Sequence, residues 1–225
     1  MEPPALHPLR GVTRCAVAAL ALAGGAWIAR GVWQIRLAKA GQPLSGPPDQ
    51  GEGRHRPLTA LEDSYHFVSA CGDVLTVLCA LTFLVWLLRA RDNARALSGR
   101  QPRHALPWVY LGWVVPVANL WVPRGIVADI HRASAPEARL PRTVDVWWGL
   151  WLVGAASGAG LMYTGTTDAV VARAYSNVGP LLAADAAVAG AAVACALMVR
   201  ALTGAQESRT GSPRSGNAIG STAGG

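Results

Sequence analysis

The apolar residues of this chain are gathered into blocks, at 15–28, 65–88, 105–123, 144–163 and 178–202. Such blocks approach the roughly 20 residues that carry a helix across a bilayer. Lipid explains them better than a soluble core does, because a helix satisfies its own backbone hydrogen bonds where no water is available. Composition agrees: 52% of the 225 residues are hydrophobic and 15% charged, where a soluble domain carries about 25% charged residues. The expected fold is an all-α integral membrane protein.

Residues 1–14 are short and polar, with Arg10 and Arg14 directly ahead of the first block, the layout of a signal-anchor helix. A secretory signal peptide shares that layout, and Ala38 and Ala40 form a cleavage-like pair. Arg30, Trp33 and Arg36 intervene, however, and Trp33 and Arg36 suit the interface of a helix that is retained over 15–37. Two Pro-Gly clusters in 38–63 predict an exposed, mobile loop. Further helices are expected over 65–88, with Tyr65 and Trp86 as interfacial anchors, and over 144–163 and 178–202. Residues 203–225, rich in Gly, Ser, Thr and Ala, are expected to form a flexible tail.

The segment 105–123 is different. Pro107, Pro116, Asn119 and Pro123 interrupt it, and prolines free carbonyls that a lipid-facing helix cannot leave unpaired. It reads as a broken element. In 124–134, Ile126, Val127 and Ile130 recur at helical spacing among Arg124, Asp129, His131 and Arg132, which predicts a helix lying along the membrane surface.

Charge orients the chain. Basic residues number 20 against 13 acidic, and all but Lys39 are arginine. If 105–123 does not cross, four spans result. The N-terminus, the segment with Arg89, Arg91, Arg95, Arg100 and Arg103, the stretch with Arg124, Arg132, Arg139 and Arg142, and the tail then all face the cytoplasm. If it does cross, five spans result, and the four-arginine stretch and the tail move outside, against the positive-inside bias. The expectation is four transmembrane helices plus a Pro-broken re-entrant or interfacial segment in the plasma (inner) membrane, with both termini cytoplasmic. The basic excess thus reports topology and anionic lipid at the cytoplasmic face, not nucleic acid.

Three residue sets could carry chemistry. Arg30, Asp73 and Asp185 are ionisable at membrane depth, where isolation is costly, so Arg30 is expected to pair with Asp73, Asp185 or both. Trp113, Pro116, Asn119, Trp121 and Pro123 mark the broken segment, in which the Asn119 amide could satisfy freed backbone. Arg89, Arg91, Arg95, Arg100 and Arg103 form a loop for anionic lipid or a partner, each arginine contributing about 1 kcal/mol near such a leaflet. His7, His55, His66, His104 and His131 show no metal-ligand spacing, and no nucleophile-elbow, P-loop or dinucleotide motif is present. No metal, cofactor or enzymatic activity is expected. Small residues at helical spacing, such as Ala183, Ala187 and Ala191, predict close helix packing within the chain or in a homo-oligomer.

The run ARDNARALSGRQP at 90–102, the pattern of Trp113, Pro116, Asn119, Leu120 and Pro123, then Arg132-Ala133-Ser134, Trp147-Trp148 and Trp151, resemble a bacterial membrane family. This is the domain of unknown function 4328, common in actinobacteria, and the resemblance covers about 65–202. It implies a multi-span inner-membrane protein and brings no activity or ligand. The functional expectation is a non-enzymatic membrane interaction or regulatory protein with basic cytoplasmic loops that bind anionic lipid, a protein partner, or both. The alternative is a small transporter or channel built on the broken segment and the intramembrane charges.

Overall fold

Helix start and stop signals lie where the chain changes direction. Thr59 and Glu62 form a capping box: the Glu62 N–H donates to Thr59 Oγ1 at 3.3 Å and the Thr59 N–H donates to Glu62 Oε2 at 2.8 Å. From there one helix runs to Ser98 and ends at Gly99, whose φ of +64° is a left-handed cap that a side chain would strain. The computed structural model describes residues 6–99, 101–115, 117–156, 166–176 and 178–211. Its order is α1 (Arg10–Ala40), α2 (Ala60–Ser98), α3 (Leu106–Val114), a 3-10 turn (Ala118–Leu120), α4 (Val122–Ser134), α5 (Arg142–Ala156), α6 (Thr167–Ser176) and α7 (Val178–Gly211). Among the described residues there is no strand, only an isolated bridge between Asp49 and His55.

Several helices outrun their apolar stretches. The first begins at Arg10 rather than 15, the second carries Arg89, Arg91 and Arg95 on its last turns, and the last continues through 203 to Gly211 instead of giving way to a tail. The loop expected around 164–177 holds α6. These extensions are held by inward polar side chains. Thr13 and Thr203 hydroxyls lie 2.9 Å apart, the Trp86 indole donates to Thr203 at 3.1 Å, and Gln206 donates to the Ala90 carbonyl at 2.8 Å. The 38–63 loop is also pinned, because Arg56 donates to both carboxylate oxygens of Glu62 at 2.7 and 2.8 Å. Residues 1–5, Arg100, Pro116, 157–163 of the expected third span and 212–225 of the expected tail lie outside the described residues.

α1 packs between α2 and α7, and α5 packs along α7. The matched pairs Thr13–Thr203, Gly24–Ala192 and Arg30–Asp185 run α1 antiparallel to α7. Trp27–Thr76 and His7–Asn93 make it antiparallel to α2 as well. Leu150 meets Gly190 and Gly154 meets Val188, so α5 also opposes α7. α1 and α5 therefore share one direction and α2 and α7 the other. The main core joins Trp86, Leu87, Met198, Val199 and Leu202 to Ile126, Val127 and Ile130 of α4. This corrects the expected surface helix at 124–134: its apolar face, with Pro123, His131 and Ser134, is buried against the bundle.

The broken segment doubles back. Gly112 lies against Val122, where a Cβ would stand 2.7 Å from Cγ1, and His104 lies against Gly125. α3 and α4 are thus an antiparallel hairpin whose two ends return to one end of the bundle. Outside, Leu22, Ile28, Val32, Phe67, Val74, Val77, Leu81, Val193 and Leu197 are exposed, an apolar belt that suits lipid. Three described helices are long and apolar enough to cross a membrane: Arg10–Ala40, Ala60–Ser98 and Val178–Thr210. That is three, not the four expected, since the stretch expected to span from 144 to 163 is described only as far as Ala156.

α1 and α7 touch closely because a Cβ at Gly24 would lie 3.3 Å from Ala192 Cβ. Gly24→Val should therefore force the helices apart and destabilise the detergent-purified protein by about 1–3 kcal/mol. The Tm should fall, whereas Gly25→Ala, which meets open space, should not lower it.

Candidate functional site

Arg91 and Arg95 are four residues apart on α2 and so share a face. The turn after Gly99 brings Arg103 and His104 back beside them, α4 contributes Asp129 and Arg132, and the last turn of α7 contributes Arg209. Together these residues line an open cleft of about 450 Å³. Among the described residues five arginines face a single carboxylate there.

Each guanidinium has a distinct setting. Arg91, whose side chain is 12% exposed, donates from Nη2 to the His104 carbonyl at 3.0 Å. Arg209 donates from Nη1 to the Ala133 carbonyl at 2.7 Å. Asp129 pairs with Arg132, and its other oxygen lies 2.9 Å from His104 Nδ1. Arg95 and Arg103 are exposed and form no ion pair among the described residues. A second cleft of about 480 Å³ adjoins the first through Leu97 and is bounded by His7, Arg10, Asn93 and Glu207.

The five-arginine segment read from the sequence therefore divides. Arg91, Arg95 and Arg103 converge, Arg89 is exposed but does not line the cleft, and Arg100 lies outside the described residues. Sequence reasoning treated the segment as a loop, whereas Arg89, Arg91 and Arg95 sit on helix. It also missed Arg132 and Arg209 as members of the site. The helical spacing of Arg132 with Asp129 was available as a signal, but no local pattern tied Arg209 to a segment so distant in sequence.

The charges of Arg30, Asp73 and Asp185 pair selectively. Arg30 donates to Asp185 through Nε at 3.2 Å and through Nη2, and its guanidinium lies 4.1 Å from the centre of the Trp27 ring. The Asp185 side chain is 4% exposed. Asp73 joins neither: it is half-buried, it has no hydrogen bond among the described residues, and Arg30 and His66 reach it only through space. At the same end, Arg56 and Tyr175 both donate to Glu62. The Glu62 carboxylate holds the Arg56 guanidinium above its ordinary pKa, and burial, then the Glu62 charge, pushes the Tyr175 phenol up to about 12.

The hairpin is wedged by aromatics. Trp113 stacks edge-on to Phe83 at 5.7 Å and to Trp151 at 6.1 Å, and also meets Trp147. The turn carbonyl of Leu120 accepts from the Trp148 indole at 3.2 Å, so a neighbouring helix satisfies it. Among the described residues the Asn119 amide donates to none of the freed carbonyls, and its buried Oδ1 itself lacks a donor. Trp121 is exposed, Pro123 is buried in the first turn of α4, and Pro116 lies outside the described residues. Among the described residues no group of three or more His, Cys, Asp or Glu side chains converges as a metal site.

With this geometry in place, comparison with known proteins adds one finding. The family model described as Domain of unknown function (DUF4328) matches residues 58–204, which include α2, the hairpin and most of the last helix. No curated protein and no solved structure matches the chain.

Breaking the buried pair tests its contribution. Arg30→Leu leaves Asp185 uncompensated and should cost about 3–5 kcal/mol, whereas Arg30→Leu combined with Asp185→Leu should recover most of that loss. Asp73→Asn should change the melting temperature far less. A thermal-melt double-mutant cycle in detergent measures all three, and additive single effects would remove the pair from the account.

Proposed function

The chain belongs to the DUF4328 family, and from that premise we propose that it is a non-enzymatic, multi-pass inner-membrane protein whose basic end binds anionic groups at the cytoplasmic face. The observation that carries the reading is the convergence of Arg91, Arg95, Arg103, Arg132 and Arg209, from three separate stretches of chain, on one cleft. Such a concentration of charge draws in anionic headgroups and anionic partners alike. The opposite end supports the orientation, because there Arg54 and Arg56 are paired with Glu52 and Glu62. Among the described residues the larger excess of positive charge lies at the end that holds the cleft, and the positive-inside bias assigns that end to the cytoplasm.

In this reading α1, α2, the apolar stretch 144–163 and α7 are the four spans, and α3 with α4 is a re-entrant hairpin. The hydrogen bond between His104 and Asp129 supports the fold-back, since it joins the two ends of the broken segment at one end of the bundle. The transport reading draws less support. Arg30 and Asp185 are closed on each other, and Asp185 lies about 7 Å along α7 beyond the point where Leu150 meets Gly190. The hairpin turn, held by Trp148 just before Leu150, is therefore separated from the charge pair.

Two measurements test the proposal. In a background lacking Cys15, Cys71, Cys79 and Cys195, single substitutions Glu52→Cys, Gln101→Cys and Glu137→Cys report topology through an impermeant thiol reagent. Only the first should label in intact cells; external labelling of the third would mean that the hairpin crosses. Purified protein should gain several degrees in Tm from phosphatidylglycerol but not from phosphatidylcholine. The gain should fade near 1 M salt, where the Debye length is about 3 Å. Equal gains with both lipids would sink the anionic reading.

A further inference from the structure

A surface that collects counter-ions and a site built for one ligand differ in what holds their arginines. In the cleft, Arg91 and Arg209 are oriented by the neutral carbonyls of His104 and Ala133, which fix direction without cancelling charge. The carboxylate nearest Arg91, Asp92, stands 4.0 Å away and faces solvent. Arg95 and Arg103 meet no carboxylate among the described residues, and Asp129 is already engaged by Arg132 and His104. The result is a pocket of uncompensated guanidinium groups, two of them directed by backbone carbonyls and one of those two largely buried.

We propose that this cleft is a discrete receptor for a phosphate-bearing group, whose oxygens accept from Arg91, Arg95, Arg103 and Arg209. The proposal rests on the reading of this end as an anion-binding face and narrows it to one ligand chemistry. A carboxylate brings one charge and two coplanar oxygens, too little for four guanidinium groups. A phosphomonoester brings about −1.5 to −2 charges at neutral pH and three strong acceptor oxygens spread tetrahedrally. The cavity of about 450 Å³ holds such a group together with part of whatever bears it. Two sources present the same oxygens. A lipid headgroup enters from the hairpin side, where Leu106 and Trp108 expose apolar surface just beyond His104, and a soluble phosphate compound enters from water.

Calorimetric titration of the full-length protein separates these. One arm adds sodium pyrophosphate to the protein in neutral detergent; the other adds phosphatidic acid, in phosphatidylcholine carrier, to the protein in phosphatidylcholine nanodiscs. Saturable one-to-one binding is expected in at least one arm, and the arm that saturates identifies the source. Arg95→Gln and Arg103→Gln, at exposed positions whose substitution does not disturb the core, should each weaken that binding by about 10-fold or more. Arg89→Gln, on the same helix but outside the cleft, should leave it unchanged. Saturation in neither arm would overturn the proposal, as would equal weakening by all three substitutions. If phosphatidylglycerol still stabilised the protein in either case, the anionic face would stand and only the discrete site would fall.

Discussion

A polar group buried inside a helix bundle whose outer surface is apolar has no water to turn to, and this single constraint organises the structure. Thr13, Gln34, Asn93, Asp185, Thr203 and Gln206 all point inward and are buried, while Leu22, Ile28, Val74, Leu81, Val193 and Leu197 point outward. Most of the inward set is partnered across helices, through Thr13–Thr203, Arg30–Asp185 and the two hydrogen bonds between Asn93 and the His7 backbone. These contacts clamp both ends of α1, one near Thr13 and the other near Arg30. Between them the helices meet through small residues such as Gly24 and Ala192, where dispersion contacts replace polar ones.

Helix length follows from the same constraint. α2 has 39 residues, about 58 Å of helix, against a hydrocarbon core of about 30 Å. The surplus extends past the apolar belt at both ends, and each end carries polar contacts. At one, Glu62 caps the helix and receives Arg56 and Tyr175, which pins the preceding loop and α6. At the other, Arg91 and Arg95 project beyond the apolar belt and form one wall of the cleft. The molecule is thus an apolar middle between two differently charged ends, one internally neutralised and the other left positive.

This surplus is also why the sequence was only partly legible. The apolar blocks located α1, α2 and α7 because hydrophobic runs are a local signal, and Trp113, Asn119, Leu120 and Pro123 identified the family and the break. Helix ends fall beyond the apolar runs that mark the helices, because Thr203 and Gln206 extend α7 by bonding to residues far away in sequence. The pairing of Arg30 was anticipated from the cost of an isolated buried charge, but its choice of Asp185 over Asp73 depends on the side each helix presents. α4 was read as a surface helix because its charged residues are as prominent as its apolar ones. Only the neighbours reveal that Ile126, Val127 and Ile130 enter the core. The cleft was the least legible feature, since its charges come from three stretches with no sequence pattern in common.

The cleft and the fold-back are one fact seen from two directions. Had the segment through Trp113 crossed to the far side, Asp129 and Arg132 would sit at the end that holds Glu62, and Arg91 and Arg95 would face open water. Because Trp148 takes the Leu120 carbonyl and Trp113 wedges among Phe83, Trp147 and Trp151, the turn is held against the bundle and the chain comes back. His104 stands at the base of the returned hairpin, where its carbonyl receives Arg91 and its ring meets Asp129. The same residue therefore closes the hairpin and orients the arginine wall. An aromatic arrangement inside the bundle thereby decides where positive charge collects outside it.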